Sequence, residues 1–410
     1  MLARFLLPQG RGELASVMLW PPVLATIGLI GLAEATAFYA ARRSIALGNL
    51  FASAVVMTIG LSLILLPIGW VVVDHVSAGF APEARNAAFL YLTFIPLNHF
   101  GLVVVSMHQG NLSTGRWNVL RAAVHVVFTS LIPAFYLAGW GTVYGFAAAS
   151  LISNAIVITL GLIMARGREW FTASPDRDSV RALFSYGIRI HFVNSVGLLN
   201  DRTDQLLISL LLSPSDLGVY VVGTTFARGV GAVGDTLGIL AFPRVAYEKN
   251  EPTRAMVAGR YSRAAVLLSV PAVAVGIAVA PWMIVLVFGS SFSPAVGIAQ
   301  VLLLSIVPCN IRSVLTAVLK GANHSLEAGA AQIVALMLSL VLLGALLPTL
   351  GLMGAAIASL ATQTIAALVM VDRTHRALGL GWREQLIPRL TDFREVFRML
   401  RPGMHESVID

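Results

Sequence analysis

Long apolar segments alternate with short polar ones along most of the chain. An α-helix needs about 20 predominantly apolar residues to cross a hydrocarbon core of about 30 Å, and the sequence offers eleven such segments. They cover residues 15–41, 46–73, 86–108, 117–138, 142–165, 183–211, 217–242, 262–289, 294–319, 328–348 and 351–372. The pattern predicts an all-α polytopic membrane protein.

Composition supports the same class. Hydrophobic residues make up 57% of the chain and charged residues 12%, with a mean hydropathy of +0.82, whereas about a quarter of a soluble protein is charged. The first apolar segment contains Pro21, Pro22 and Glu34, which does not fit a cleavable signal peptide. The single cysteine, Cys309, excludes an intrachain disulfide and a cysteine-based metal cluster.

The chain also repeats itself. Pro8 and Gly12 match Pro214 and Gly218, and six apolar segments separate the two matched sites. Because six is even, both copies enter the membrane in the same orientation, which makes a parallel repeat. Further matches, all 206 to 212 residues apart, pair Pro96–Asn98 with Pro308–Asn310, Gly110 with Gly321, and Gly145–Leu151 with Gly354–Leu360.

The repeat predicts two helical lobes around a central cavity. The second copy has an apolar helix before Pro214, whereas almost nothing precedes Pro8. We therefore expect five helices and a missing first helix in one lobe, and six helices in the other. The predicted parts are an N-terminal lobe (1–166), a cytoplasmic linker (167–181), a C-terminal lobe (182–376) and a cytoplasmic tail (377–410).

The basic residues are distributed asymmetrically. Of 28 Lys and Arg residues, 21 fall on one set of alternating loops and the tail, three on the opposite loops, and four inside apolar segments. By the positive-inside rule the basic set and the C-terminus are cytoplasmic, and the N-terminus is then outside. The net charge of +8 is thus a topology signal with some attraction to membrane lipid, and we expect no nucleic-acid partner.

The tail has a helical pattern of its own. Its large apolar residues recur among arginines at positions Trp382, Leu386, Leu390, Phe393, Phe397 and Leu400. This spacing predicts an amphipathic helix on the inner leaflet. A tail that docks on cytoplasmic loops fits the pattern equally well.

Polar residues inside the spans mark the candidate site, because a charge at bilayer depth is costly unless it faces a cavity or a partner. The segment 183–211 is the richest, with Arg189, His191, Asn194, Asn200, Asp201, Arg202, Asp204 and Gln205. The other spans add Glu34, Arg228, Asp235 and Arg312. The alternative is simple neutralisation, in which Arg202 pairs with Asp204 and Arg228 with Asp235.

Two further pairs of residues favour a structural role. His99 and His125 are single histidines on apolar faces, and we interpret each as a hydrogen-bonded packing residue. Asn98 and Asn310 each follow a matched proline by two positions. We expect these amides to bond the backbone groups that the proline frees.

Several motifs resemble one family. The sequence is similar to Wzx-type polysaccharide flippases of the multidrug/oligosaccharidyl-lipid/polysaccharide exporter superfamily. The similarity runs from residue 2 to about residue 375, except that this chain lacks the usual first helix. The motifs that carry it are Leu2–Gly12, Gly31–Glu34, Ser185–Arg189, Asn200–Asp204, Leu212–Tyr220 and Ala241–Ala246.

The resemblance implies alternating-access transfer of an undecaprenyl-diphosphate-linked glycan to the outer leaflet of the bacterial inner membrane, alongside glycan polymerase or ligase partners. No cofactor is implied beyond coupling to Na⁺ or H⁺. The residues in the spans suit these roles. We expect the arginines to hold the diphosphate, namely Arg189, Arg202, Arg228 and Arg312. The amides and the histidine would contact sugar, namely Asn194, Asn200 and His191. The acids would couple ions, namely Glu34, Asp201, Asp204 and Asp235.

Two other functions stay open. A cation-coupled exporter of small drugs belongs to the same superfamily, although four arginines inside the spans would repel its cationic substrates. A non-transporting scaffold for envelope assembly is the other. A flippase for lipid II is a variant of the polysaccharide flippase. The sequence has no Walker loop, His-Glu-x-x-His motif or cysteine pair, so no enzyme is predicted.

Overall fold

The structure, a computed structural model, describes residues 2–167, 169–389 and 392. This part of the chain is helical and contains no β-strand, as the apolar segments predict. It forms two compact units, Met1–Gly218 and Val219–Asp410.

The first unit contains nine helices among its described residues, and a tenth begins in it. They are α1 (Leu2–Val17), α2 (Trp20–Gly28), α3 (Leu32–Arg42), α4 (Leu47–Val76), α5 (Pro82–Tyr91), α6 (Phe94–Gly110), α7 (Thr114–Leu137), α8 (Val143–Met164), α9 (Arg177–Leu211) and the start of α10 (Pro214–Gly231).

The second unit continues α10 and contains five more helices in its described part. They are α11 (Val233–Tyr247), α12 (Glu251–Phe288), α13 (Ala295–Gly321), α14 (Ser325–Leu378) and α15 (Trp382–Leu386).

The described helices account for the predicted spans in different ways. Six of them, and α5 and α6 taken together, are long and apolar enough to cross a membrane, which makes seven spans. The count rises to nine if each of two bent helix pairs is one span. With its 54 residues, α14 would be about 80 Å long if straight. It breaks at Gly351 (φ 56°, ψ −139°), between the two spans predicted there. The remaining predicted span lies in α9, which is too polar to meet the same test.

The duplication is visible in how each copy folds. The α1–α2 segment meets α3 at a 49° bend, and α10 meets α11 at a 44° bend. Matched glycines then pack in matched places. A Cβ at Gly110 would overlap the Ala37 carbonyl of α3, and a Cβ at Gly321 would come within 2.8 Å of the Phe242 carbonyl of α11. Each glycine therefore lets its helix approach the bent helix of its own copy.

The first unit also includes α9, which the repeat assigns to the second copy. It packs against α2, α3 and α4. The lobe boundary at 167–181 follows the repeat, whereas the boundary of the compact units follows contacts. The predicted division into lobes therefore stays a prediction.

Within the first unit, α1 and the start of α10 are in backbone contact at the matched motifs. An added Cβ at Gly12 would overlap the Pro214 carbonyl, and one at Gly218 would overlap the Pro8 carbonyl. The arrangement is reciprocal, so each proline carbonyl faces the glycine of the other copy. Small residues permit such close helix contacts in membranes.

The described part of the tail docks on the second unit. The Arg263 guanidinium of α12 donates from Nε to Asp392 Oδ2 (2.7 Å), from Nη2 to Asp392 Oδ1 (3.0 Å) and from Nη1 to the Glu384 carbonyl (2.6 Å). The Arg263 and Asp392 side chains are only 6% and 4% exposed. Gln385 Nε2 donates to the carbonyls of Val371 (3.2 Å) and Leu380 (2.9 Å). Residues 390, 391 and 393–410, which hold most of the predicted amphipathic helix, lie outside the described residues.

Gly12→Ala is expected to destabilise the first unit, because a Cβ there overlaps backbone that no side-chain rotation can move. Overpacking of this kind costs about 1–3 kcal/mol. A thermal unfolding assay in detergent checks the effect. Gly60→Ala is the matched control, since a Cβ at Gly60 meets nothing within 4 Å. Equal unfolding temperatures for the two variants would contradict the close backbone contact between Gly12 and Pro214.

Asp392→Asn is expected to release the tail, since it leaves Arg263 buried without a carboxylate. Removing one partner of a buried ion pair costs about 3–5 kcal/mol. Hydrogen exchange of residues 379–389 measures the release. The exposed pair of Asp372 and Arg376 supplies the control, Asp372→Asn, which should leave the protection unchanged.

The same contact makes tail docking depend on pH. Burial raises the pKa of Asp392, but hydrogen bonds from Arg263 and from the Arg389 N–H lower it by more than burial raises it. The pKa of Asp392 therefore lies below its ordinary value. The stabilisation is complete above about pH 4, the ordinary aspartate pKa, and is lost as the pH falls through the lower pKa of the docked state. At low pH, the hydrogen-exchange protection of residues 379–389 in wild type should therefore fall to the level measured in Asp392→Asn.

Candidate functional site

The most polar helix, α9, is held against the first copy by three contacts. Gly187 crosses Gly31 so closely that a Cβ on either glycine would overlap or crowd the backbone of the other segment. The Tyr186 ring stacks on Phe38 with a centroid distance of 4.1 Å. Near the far end of α9, Trp20 Nε1 donates to Ser209 Oγ at 3.1 Å. The backbone that carries the candidate polar residues is therefore fixed at both ends.

Glu34 lies at this junction. On α3, Gly31, Glu34 and Phe38 are spaced by three and four residues and share one face. Gly31 and Phe38 both contact α9, through Gly187 and Tyr186. Glu34 therefore lies on the α3 face that meets α9, and it is exposed.

The first half of α9 supplies a cation and an imidazole. Exposed Arg189 donates from Nε to the Ser185 carbonyl and from Nη2 to Ser185 Oγ, each at 2.8 Å. His191 Nε2 lies 3.0 Å from Ser195 Oγ. These bonds join neighbours on the same helix. The side chain of Asn194, a predicted sugar contact, lies outside the described parts of the structure.

The second half of α9 carries the acidic motif. Arg202 Nη1 donates to Gln205 Oε1 at 3.4 Å, and the Gln205 backbone N–H donates to Asp204 Oδ1 at 2.8 Å. Asp201 is exposed, whereas Asn200, Arg202 and Asp204 are half-buried. Gln205 thus links the predicted phosphate ligand Arg202 to the predicted coupling acid Asp204.

In the second unit the predicted cation Arg312 lies near the middle of α13. Its Nε donates to Gln363 Oε1 of α14 at 3.0 Å, and its Nη2 lies 3.9 Å from Cys309 Sγ. The side chain is half-buried, and both of these partners are neutral. Within the described residues, no carboxylate forms an ion pair with this arginine.

The predicted acid of the second unit bonds the residue that follows this arginine. Ser313, the next residue after Arg312, donates from Oγ to Asp235 Oδ1 of α11 at 3.1 Å. The structure therefore brings α11, α13 and α14 together around Arg312 and Ser313. Arg228 is exposed on α10, seven residues before Asp235.

Sequence reasoning was right about one structural residue and wrong about two others. Buried His99 bonds Ser62 Oγ through Nδ1 (3.0 Å) and the Ala25 carbonyl through Nε2 (2.9 Å), so it is a packing residue as predicted. His125 is instead exposed on α7. Asn310 does not cap the backbone near Pro308, because its Nδ2 donates to Ser269 Oγ of α12 at 2.7 Å.

Two partners in the second unit escaped the sequence analysis. Gln363 is an amide in an otherwise apolar stretch, a signal that could have been read as a buried hydrogen-bond partner. Ser313 gave no signal beyond its place next to Arg312. Both became recognisable only through contacts between helices.

One family model matches most of the chain. Its description is "Polysaccharide biosynthesis protein", and it matches residues 1–297. No curated protein matches the chain significantly.

Solved structures of membrane transporters share the fold. An inward-facing multidrug resistance MATE family transporter of the MOP superfamily aligns with a TM-score of 0.71 and 17% identity, over 92% of this chain and 93% of that one. The lipid II flippase MurJ in its inward closed conformation aligns with a TM-score of 0.69 and 12% identity, over 97% and 90%.

A third similar structure is a MOP superfamily transporter from Pyrococcus furiosus, described by a reverse polarity of its binding pocket. It aligns with a TM-score of 0.54 and 18% identity, over 90% of this chain and 88% of that one. At these identities the likeness concerns the fold alone.

Proposed function

The chain belongs to the polysaccharide biosynthesis protein family, a family of membrane flippases, and we propose on that premise that it moves a lipid-linked oligosaccharide or polysaccharide precursor across the cytoplasmic membrane. Transport would proceed by alternating access, without chemical conversion of the substrate.

The half-buried Arg312 carries this proposal. An arginine at bilayer depth is costly unless it faces a cavity or an anionic partner, and its contacts in the structure, Gln363 and Cys309, are both neutral. A diphosphate would supply the missing negative charge through charge-assisted, bidentate hydrogen bonds. The diphosphate of a polyprenyl-linked glycan is an anion that can reach this depth within a membrane.

The other arginines and polar side chains extend the proposed path. We assign Arg189, Arg202 and Arg228 to the phosphates, and His191, Asn194 and Asn200 to the sugars. Each of these roles rests on the chemistry of the side chain. Hydroxyl groups of a glycan need donors and acceptors of the kind that amides and imidazoles provide.

Glu34, Asp201, Asp204 and Asp235 are the proposed coupling residues. A carboxylate that moves between water and a less polar surrounding changes its affinity for protons and for Na⁺. Asp235 supports this role best, because it bonds Ser313, the residue after Arg312 in the sequence. Binding of a cation there would be coupled to the charge at the arginine.

The expected setting is the bacterial cytoplasmic membrane, with the C-terminus inside. The excess of arginine on one set of loops supports this orientation through the positive-inside rule. The proposed substrate is an undecaprenyl-diphosphate-linked glycan, and glycan polymerases or ligases would act on the product.

Export of small drugs is the second candidate, since a MATE family transporter shares the fold. Typical substrates of such exporters are cations, which the Arg312 guanidinium would repel. Glycan display and drug resistance in cells therefore separate the two functions. A scaffold without transport activity would fail both assays.

Arg312→Gln is expected to lower the surface display of glycan at least about tenfold, the effect of losing roughly 1.4 kcal/mol of phosphate binding. Arg312→Lys should retain part of the activity, because it keeps the charge but loses the bidentate geometry. The measurement is glycan display at matched protein levels in a strain without the endogenous gene. Arg376→Gln, at an exposed pair with Asp372, is the control. Normal display with Arg312→Gln would remove the main support for the proposal.

Replacing Arg189 and Arg202 together with glutamine tests the path along α9. We expect display to fall further than with either single variant, because both guanidinium groups are assigned to phosphate. The double variant is compared with wild type at equal abundance in the membrane. Intact display would show that α9 does not carry substrate.

A further inference from the structure

The chain folds back on itself after α14. Gly379 adopts a left-handed conformation (φ 68°), which ends the helix and reverses the chain direction. Gln385 of α15 then donates from Nε2 to the Val371 carbonyl at 3.2 Å, about two turns before the end of α14. Val371 lies at the end of a predicted membrane span, 351–372. The segment 379–389, here called the strap, therefore returns to the depth at which α14 leaves the bilayer.

The strap divides its large apolar side chains between the protein and the outside. Leu386 packs on an apolar cluster of α13 and α14, and Leu380 is buried. Trp382 and Ile387 are instead 59% and 51% exposed. The predicted amphipathic helix placed Trp382 and Leu386 on one face, whereas in the structure only Leu386 faces the protein. Docking of the strap therefore leaves apolar surface exposed.

This exposed apolar surface borders the membrane-spanning part of the unit. Leu386 lines the same small cavity as Leu304 of α13 and Leu368 of α14, and both of these leucines are exposed. Exposed leucines on candidate membrane spans are typical of a surface that faces lipid. Tryptophan is enriched where such surfaces meet the lipid–water interface. The position of Trp382 therefore fits contact with lipid headgroups.

Arginines surround the exposed tryptophan. The Arg383 guanidinium lies over the Trp382 ring, 5.4 Å from its centroid, and within the described residues it forms no ion pair. Arg376 and Arg389 are 69% and 58% exposed, although each is paired with one carboxylate. Exposed pairs of this kind are weak, so both guanidinium groups remain able to bind a phosphate. Three exposed arginines beside two carboxylates make a surface that suits an anion.

The strap is held in place by the protein itself. Arg263 of α12 forms the buried bidentate contact with Asp392. A Cβ at Gly259 of α12 would come within 3.1 Å of the Glu384 carbonyl, so the strap packs closely on this helix. Because the segment is already ordered, a ligand that binds its outer surface does not lose affinity to the entropy of ordering it.

We propose that the outer surface of the docked strap binds anionic phospholipid. Trp382 and Ile387 lie in the interface of the leaflet at which α14 ends, and Arg376, Arg383 and Arg389 bind the phosphate groups of its lipids. Basic residues next to a membrane span are attracted to anionic headgroups, and the two apolar side chains add burial. None of these five residues is assigned to the transported substrate, so the inference is independent of the proposed transport function.

Spin-label accessibility in nanodiscs tests the contact with lipid. Full-length protein with Cys309→Ser receives one new cysteine for the label, through Ile387→Cys or, as the control, Glu251→Cys. Glu251 is exposed, and it precedes the predicted span 262–289 on α12. In nanodiscs of phosphatidylcholine and phosphatidylglycerol, we expect oxygen to reach the label at 387 more readily than a water-soluble nickel chelate does. The label at 251 should show the opposite preference.

Hydrogen exchange of the strap tests the role of charge. Addition of phosphatidylglycerol to phosphatidylcholine nanodiscs should slow exchange of residues 379–389 at least about tenfold in wild type, since each basic residue near an anionic surface contributes roughly fivefold in affinity. Arg383→Gln combined with Arg389→Gln should remove most of this effect. The matched control removes two exposed cations elsewhere, through Arg181→Gln with Lys249→Gln, and should respond to phosphatidylglycerol as wild type does.

Three results would overturn the inference. The first is a label at 387 that the nickel chelate reaches as readily as the label at 251, because the strap would then lie in water. The second is a label at 387 that neither reagent reaches, which would indicate contact with another protein chain. The third is an equal effect of phosphatidylglycerol on the two double variants.

Discussion

The first unit depends on two places where helix backbones touch without intervening side chains. Gly12 meets the carbonyl of Pro214, with Gly218 and Pro8 in the reciprocal contact, and Gly31 meets Gly187. Between these crossings lies α9, which by composition is too polar to count as an independent membrane span. In a bilayer, where apolar burial does not drive helices together, packing at small residues and interhelical hydrogen bonds do so. The crossings therefore explain how a helix with several charges is held against apolar neighbours.

That placement has a consequence for the candidate site. A polar helix held at both ends presents Arg189, His191 and the Asp201–Asp204 motif at fixed positions along its length. Its contacts with the first copy include those of Tyr186, Gly187 and Ser209. A fixed backbone of this kind supports the proposed role of α9 in binding.

The sequence predicted features that depend on local pattern, and it failed where contacts between helices decide. The lengths of the apolar segments predicted the spans. Two of these spans lie in the single helix α14, which breaks at Gly351. The matched glycines made the repeat recognisable in the sequence, because both copies need a glycine where two helices approach closely. No local pattern could show that Asn310 bonds Ser269 on another helix, or that Gln363 meets Arg312. Membership of α9 in the first unit is equally a property of tertiary packing, since the repeat assigns that helix to the second copy.

The duplication provides an internal control for Arg312. In the alignment of Pro96–Asn98 with Pro308–Asn310, Arg312 corresponds to Phe100, and the later match at Gly145 and Gly354 pairs Gln363 with Asn154. In the first copy Phe100 packs in an apolar cluster, and Asn154 bonds the Ser150 carbonyl of its own helix at 2.9 Å. The equivalent helices of the first copy therefore pack without a charge at this position. This difference between the two copies supports the proposed role of Arg312 in binding an anion.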